Sequence, residues 1–172
     1  MPLTIDFDAI VAGGGLAGLL AAKEMASFGL KVKVFEEDSE IGVPEKCGGL
    51  VSMRGLKELG IIPSRKAIVN EIRRAILYSP SGIKLEIDAS KQGVVVVDRA
   101  YFDKELARQA VRRGAEVDVA RRVTQIVEDK NGLVNVEVSG RSLTSRVGID
   151  ARGSATLVSA KRSGLLPAGK YL

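Results

Sequence analysis

Histidine and tryptophan are missing from this 172-residue chain, which has one cysteine, four phenylalanines and three tyrosines. With no imidazole and a single thiol, a protein-ligated zinc or haem centre has too few ligands, so no metal site is expected. One cysteine forms no internal disulfide, which agrees with a reducing compartment. So few aromatic side chains make a poor stacking platform for single-stranded nucleic acid. Long apolar runs are lacking too: the most apolar stretch, Ala9 to Ala22, is broken by glycines and does not read as a membrane span. The opening MPLTIDFD carries acids where a secretory leader would carry bases, so a cytoplasmic protein is expected.

What is present suits a folded domain. Hydrophobic residues make up 45% and charged residues 27%, a composition that excludes a disordered chain and supports one domain with a real core. The net charge of +5 is spread along the sequence. Its densest pieces, Arg73–Arg74, Arg112–Arg113 and Arg121–Arg122, read as solvated faces, and no nucleic-acid partner is expected. Internal repeats and low-complexity segments are lacking.

The informative stretch is FDAIVAGGGLAGLLAAKEMASFGLKVKVFEE, from Phe7 to Glu37. An apolar run enters three consecutive glycines, and an Ala/Leu-rich run follows until Gly29, which reads as strand, tight turn and helix. Gly13, Gly15 and Gly18 satisfy G-x-G-x-x-G, in which one glycine makes the turn, one admits a pyrophosphate to the backbone and one lets helix and strand pack closely. The pyrophosphate would sit on the amides and positive dipole end of the helix. KVKVF then alternates as a second strand and delivers Glu36 about 20 residues beyond the motif, where an acid accepts hydrogen bonds from a ribose. An acid there favours an unphosphorylated ribose, hence FAD or NAD and not NADP.

Further along, a turn-rich connection leads to a short helix from about Met53 to Leu59, with Ser52 as N-cap. NEIRRAILYSPSGIKLEI reads as a β-hairpin around Ser-Pro-Ser-Gly, and GVVVVD as a buried strand. RAYFDKELARQAVRRG spaces Phe102, Leu106, Ala110 and Val111 as a helix face and stops at Gly114. Short strands follow, turning at Asn131-Gly132 and Ser139-Gly140. RVGIDARG closes the series as a strand running into another glycine turn.

This order of elements resembles the first part of flavoproteins of the para-hydroxybenzoate hydroxylase and glutathione reductase type. Three segments sharpen the resemblance. GVPEKCGGLVS (Gly42 to Ser52) is similar to the P-x-x-C-G loop of the geranylgeranyl reductase family, DRAYFDKELARQA to the R-x-x-F-D-x-x-L segment of these flavoproteins, and IDARG to their D-A-T-G turn. The fold implied is α/β: a Rossmann-like FAD-binding domain with a central parallel sheet, an antiparallel meander and a β-hairpin excursion. Residues 1–69 and 93–160 would form the FAD-binding domain and 70–92 the excursion. Residues 161–172 would begin a C-terminal substrate domain, because members of the family are longer and carry a later G-D-A motif that this sequence does not contain.

The resemblance also implies roles. Gly13, Gly15, Ala17 and Gly18 would cradle the FAD pyrophosphate, and Glu36 would bind the adenosine ribose. Arg99 would reach the nucleotide, Val123 would contact adenine through its backbone, and Asp150 and Gly153 would form the second turn beside the cofactor. Cys47, Gly48 and Gly49 would lie along the flavin, with Cys47 as the catalytic residue. The implied activity is FAD-dependent reduction of isoprenoid C=C bonds in lipids, with peripheral membrane contact and a second chain supplying the rest of the fold as compatible partners. The alternatives are an FAD-dependent aromatic monooxygenase and a nucleotide-binding module without activity of its own.

Overall fold

The computed structural model describes residues 4–153. In chain order the elements are β1 (Phe7–Ala12), α1 (Leu16–Ser27), β2 (Val32–Phe35), β3 (Leu50–Ser52), α2 (Met53–Glu58), β4 (Ile68–Ile72), β5 (Arg74–Tyr78) and β6 (Lys84–Asp88). There follow β7 (Val94–Val97), α3 (Arg99–Arg112), β8 (Glu116–Asp118), β9 (Val123–Glu128), β10 (Val134–Val138) and β11 (Arg141–Asp150). They divide into two compact units, residues up to 43 with those from 103 onward, and residues 44–102.

The first unit holds a six-stranded sheet in the order β8-β2-β1-β11-β10-β9. Its parallel part is β8, β2, β1 and the second half of β11. Strand β1 alternates its side chains between two cores, as extended backbone requires. Ala9 and Val11 join Ala22 and Ala26 of α1, Val32 and Val34 of β2, and Ala110 of α3. Ile10 and Ala12 join Phe35, Val123, Val136 and Val138, so the antiparallel strands curl over that second face. Each buried valine or isoleucine there contributes about 1.5–3 kcal/mol of transfer free energy. Helix α1 follows from its Ala/Leu content and stops where Gly29 takes φ +80 and donates to the Ala26 carbonyl at 2.9 Å.

The last strand of the meander and the returning strand, expected as separate short pieces, are one ten-residue strand, β11. Its first half pairs antiparallel with β10 and its second half parallel with β1. Buried Ser145 is the junction, opposite both Val134 and Phe7, and its hydroxyl donates to the Val147 carbonyl at 3.0 Å. Gly148 lets the sheet curl there: a Cβ would lie 2.7 Å from Val134 Cγ1.

In the second unit β7 is the central strand of an antiparallel sheet, β3-β7-β4, with Val95 and Val97 buried. The hairpin around Ser79–Gly82 is β5 with β6, in the register Arg74↔Asp88 to Tyr78↔Lys84. The run expected to form its first arm is split: residues 68–72 pair with β7, and only 74–78 pair with β6. Ser52 caps α2, its hydroxyl accepting the Gly55 N–H at 3.2 Å. No helix among the described residues is long and apolar enough to cross a membrane.

Candidate nucleotide site

Strands β1, β2, β8 and β11 end at one level: Ala12 lies opposite Phe35 and Asp150, and Phe35 opposite Asp118. Ligands of open α/β sheets bind outside such carboxyl ends, where the strand order reverses. The loop after β1 is shaped by its glycines, each for its own reason. Gly13 takes φ +108, and a Cβ on it would collide with the Ala151 carbonyl of the turn after β11. At Gly18 the collision would be with the Gly13 carbonyl, so helix, loop and second turn are packed backbone to backbone. Gly15 differs: it has φ −81, ordinary for any residue, and nothing lies within 4 Å of where its Cβ would be. Folding does not demand glycine there, whereas a diphosphate laid on the backbone does.

Gly15 is also the N-cap of α1, and no side chain caps that end. The first turn of a helix holds amides without intrahelical acceptors, and its dipole favours an anion. Ala17, on that first turn, is exposed. These features fit a dinucleotide diphosphate.

Glu36 stands just beyond β2, with its carboxylate turned to the loop. Oε2 accepts from the Gly14 N–H at 2.5 Å and Oε1 from the Asp38 N–H at 2.9 Å. Gly14 is itself constrained, since a Cβ would lie 2.6 Å from Ile41 Cδ1 and 3.0 Å from Glu36 Cβ. The segment after β8 closes around the same place: Arg121 N–H donates to the Glu36 carbonyl at 2.7 Å and Ala120 N–H to the Asp38 carbonyl at 2.8 Å. Each carboxylate oxygen retains a second acceptor direction, which suits ribose hydroxyls.

The second turn was represented in the sequence reading by Asp150 and Gly153, and the structure adds Arg152. Its Nε and Nη2 donate to the two Asp150 oxygens at 2.8 and 2.5 Å, and Nη1 to the Val123 carbonyl at 3.1 Å. The hydrogen bond with Asp150 raises the arginine's pKa above its ordinary value, against the opposing pull of burial. Only the DARG quartet signalled this residue; its contact with Val123, 29 residues away, is invisible to local pattern. Gly153 adopts φ +65. Gly13, Gly15, Ala17, Gly18, Glu36, Val123, Asp150 and Gly153 thus all belong to the first unit.

Cys47, Gly48, Gly49 and Arg99 belong to the second unit. Cys47 and Gly48 are exposed in the loop before β3. At Gly49, φ is +73 and a Cβ would collide with the Val97 carbonyl, so packing against β7 explains this glycine by itself. Half-buried Arg99 opens α3, behind an Asp98 carboxylate that caps the helix by accepting the Tyr101 N–H at 2.7 Å. No cluster of metal-ligating side chains occurs among the described residues.

A parallel sheet with a glycine loop, an uncapped helix N-terminus and an acid at the end of the second strand defines a dinucleotide-binding flavoprotein fold. The chain belongs to the FAD binding domain family, whose model matches residues 6–152, and FAD is its cofactor. It is 36% identical over 167 residues to digeranylgeranylglycerophospholipid reductase 1 of Methanopyrus kandleri, covering 95% of this chain and 44% of the relative. Reductase 2 of the same organism is 35% identical, over 96% of this chain and 42% of the relative. Among solved structures, a geranylgeranyl bacteriochlorophyll reductase-like protein from Thermoplasma acidophilum superposes with a TM-score of 0.80 at 30% identity, over 96% of this chain and 43% of that one. The chain therefore spans less than half the length of the relatives it matches.

Proposed function

We propose that this chain is the FAD-carrying part of an oxidoreductase that saturates the isoprenoid double bonds of geranylgeranyl lipids. The observation that carries the reading is Gly15: open space kept at a helix N-terminus, in a chain whose relatives are named for reducing a digeranylgeranyl phospholipid. Gly15, Ala17 and the first amides of α1 hold the diphosphate, Gly13 and Gly18 let the loop close, and Glu36 accepts the ribose hydroxyls. Val123, Asp150 and Gly153 line the adenosine side, and Arg99 supplies a cation toward the nucleotide. FAD bound there would, once reduced, supply the hydride and return to its oxidised form. Alkene reduction also needs a proton, and Cys47, with Gly48 and Gly49 beside it, is the group of the chain assigned to supply one, from the S–H at Sγ.

The substrate cavity is assigned to polypeptide outside the matched span, in the same or a second chain. Residues 70–92 are its nearest part within this sequence, an excursion from a cofactor domain formed by 1–69 and 93–160. Residues 161–172, assigned to the start of that substrate domain, lie outside the described residues, as do residues 154–160 of the cofactor domain. A cytoplasmic protein with peripheral contact at the membrane suits a lipid substrate. The test is to reduce the flavin of the complete protein and add digeranylgeranylglycerophospholipid. Oxidation of the flavin with saturation of the chains is expected. A protein that stays colourless when mixed with FAD, or a reduced flavin indifferent to the lipid, would overturn the reading.

A further inference from the structure

We propose that Arg152 is a positioning residue that sets the base preference of the nucleotide site. The inference rests on the FAD assignment and on contacts within the first unit. Arg152 and Asp150 have side chains only 18% and 21% exposed, and the carboxylate occupies two arms of the guanidinium fork. Asp150 fixes the plane of the fork, and of the three N–H groups this leaves, one on Nη1 meets the Val123 carbonyl. Val123 opens β9, the edge strand of the sheet, and its side chain is buried in the second core. What it offers a ligand is backbone. It follows Arg121 and Arg122, and the Arg121 amide is bound to the Glu36 carbonyl, which places the Val123 edge on the ribose side of the crevice.

A carbonyl has two lone pairs, and Arg152 uses one at Val123. The other, held in a fixed direction by the clamp, suits the exocyclic amine of adenine. A 6-oxo purine would present a second acceptor to it and leave the carbonyl unsatisfied. Arg152 therefore acts through Val123, and its own charge is neutralised by Asp150. Lysine would keep the charge but lose the fork.

The experiment titrates the complete protein and its Arg152→Ala and Arg152→Lys variants with FAD and with flavin hypoxanthine dinucleotide, in which a 6-oxo group replaces the 6-amino group. Wild type should prefer FAD by about tenfold, the worth of one hydrogen bond, and both variants should bind the two dinucleotides within about twofold of each other. Thermal melts of the cofactor-free proteins identify any variant that does not fold, and the other variant then decides. Parallel weakening toward both dinucleotides, with the preference intact, is what a merely structural role produces and would overturn the proposal. So would an unchanged preference in Arg152→Lys. Wild type that binds neither dinucleotide would sink the FAD reading as well, which separates the two failures.

Discussion

The carboxylate of Glu36 accepts the backbone N–H of Gly14, 22 residues earlier, at 2.5 Å. The acid at the end of β2 thus shapes the glycine loop as well as being the residue we propose for the ribose. A single side chain ties the loop after β1 to the segment after β2. The other oxygen accepts the Asp38 N–H at 2.9 Å, so the carboxylate bridges two backbone amides.

Replacing Glu36 by alanine should consequently do two things. FAD affinity should fall by about 10-fold to 100-fold, since hydrogen bonds to a charged group contribute about 1.5–3 kcal/mol each, and by more than in Arg99→Ala. The cofactor-free protein should also lose about 1–2 kcal/mol as the Gly14 and Asp38 amides lose their acceptor. Calorimetric titration and denaturant melts measure the two effects separately. Equal FAD affinity in wild type and variant would remove Glu36 from the site.

The glycines of the motif should part company under substitution. Gly15→Ala should stay within about 1 kcal/mol of wild type, since a less favourable N-cap residue is offset by a less flexible unfolded chain. Its FAD affinity should drop by tenfold or more. Gly13→Ala should lower stability by at least about 3 kcal/mol, from a positive φ and a collision with the Ala151 carbonyl. Melts without cofactor, followed by FAD titration, separate the two. A Gly15→Ala protein that binds FAD normally would deprive Gly15 of its ligand.

Cys47 is exposed in its loop, where a serine is accommodated as easily. In the complete protein Cys47→Ser should keep FAD bound and slow alkene reduction by about 10²-fold or more, the usual contribution of a positioned acid. Flavin occupancy and single-turnover oxidation of the reduced flavin should be followed on one preparation. An unchanged rate at full occupancy would leave Cys47 a loop residue, and lost occupancy would make it part of the cofactor seat.

Asp129 organises the β9–β10 turn. Its carboxylate accepts the Leu133 N–H at 3.0 Å and the Asn131 N–H at 2.8 Å, and these bonds hold its pKa below the ordinary 3.8. A carboxylate whose folded pKa is depressed adds stability above its unfolded pKa and loses it as pH falls through the folded value. Asp129→Ala should therefore melt at a lower temperature than wild type at neutral pH, and the gap should close as the medium is acidified below about pH 4. A gap that stays constant down to pH 2 would show that the loss comes from something other than the charged acceptor.

Local chemistry was legible in the sequence wherever one residue decides a local conformation. Gly29 and Gly114 end helices at positive φ, Ser139-Gly140 forms a tight turn with φ 48 and 77, and Ser52 caps α2. The βαβ unit could be read because strand, loop, helix and acid follow one another within a short span. Partners chosen across long separations were not legible. Residues 68–72 alternate as well for a hairpin arm as for an edge on β7, and only tertiary pairing decides. The Gly14 amide on Glu36 and the Arg152 clamp on Val123 depend on loops brought together by the sheet, so pattern marked their neighbours and missed the contacts themselves.

The double pairing of β11 has a consequence for how the chain reaches its native state. Strand β1, which carries the glycine loop, meets one neighbour within the first βαβ unit but meets the other only when Ser145 arrives opposite Phe7. By the logarithmic dependence of closure entropy on loop length, that union costs about 3 kcal/mol more than closing the β9–β10 hairpin. The hairpin can form early and alone, and β11 then docks as an extension of it. The turn that carries Asp150 and Arg152 is thus completed late, and until then β1 presents an open apolar edge to whatever else the cell offers.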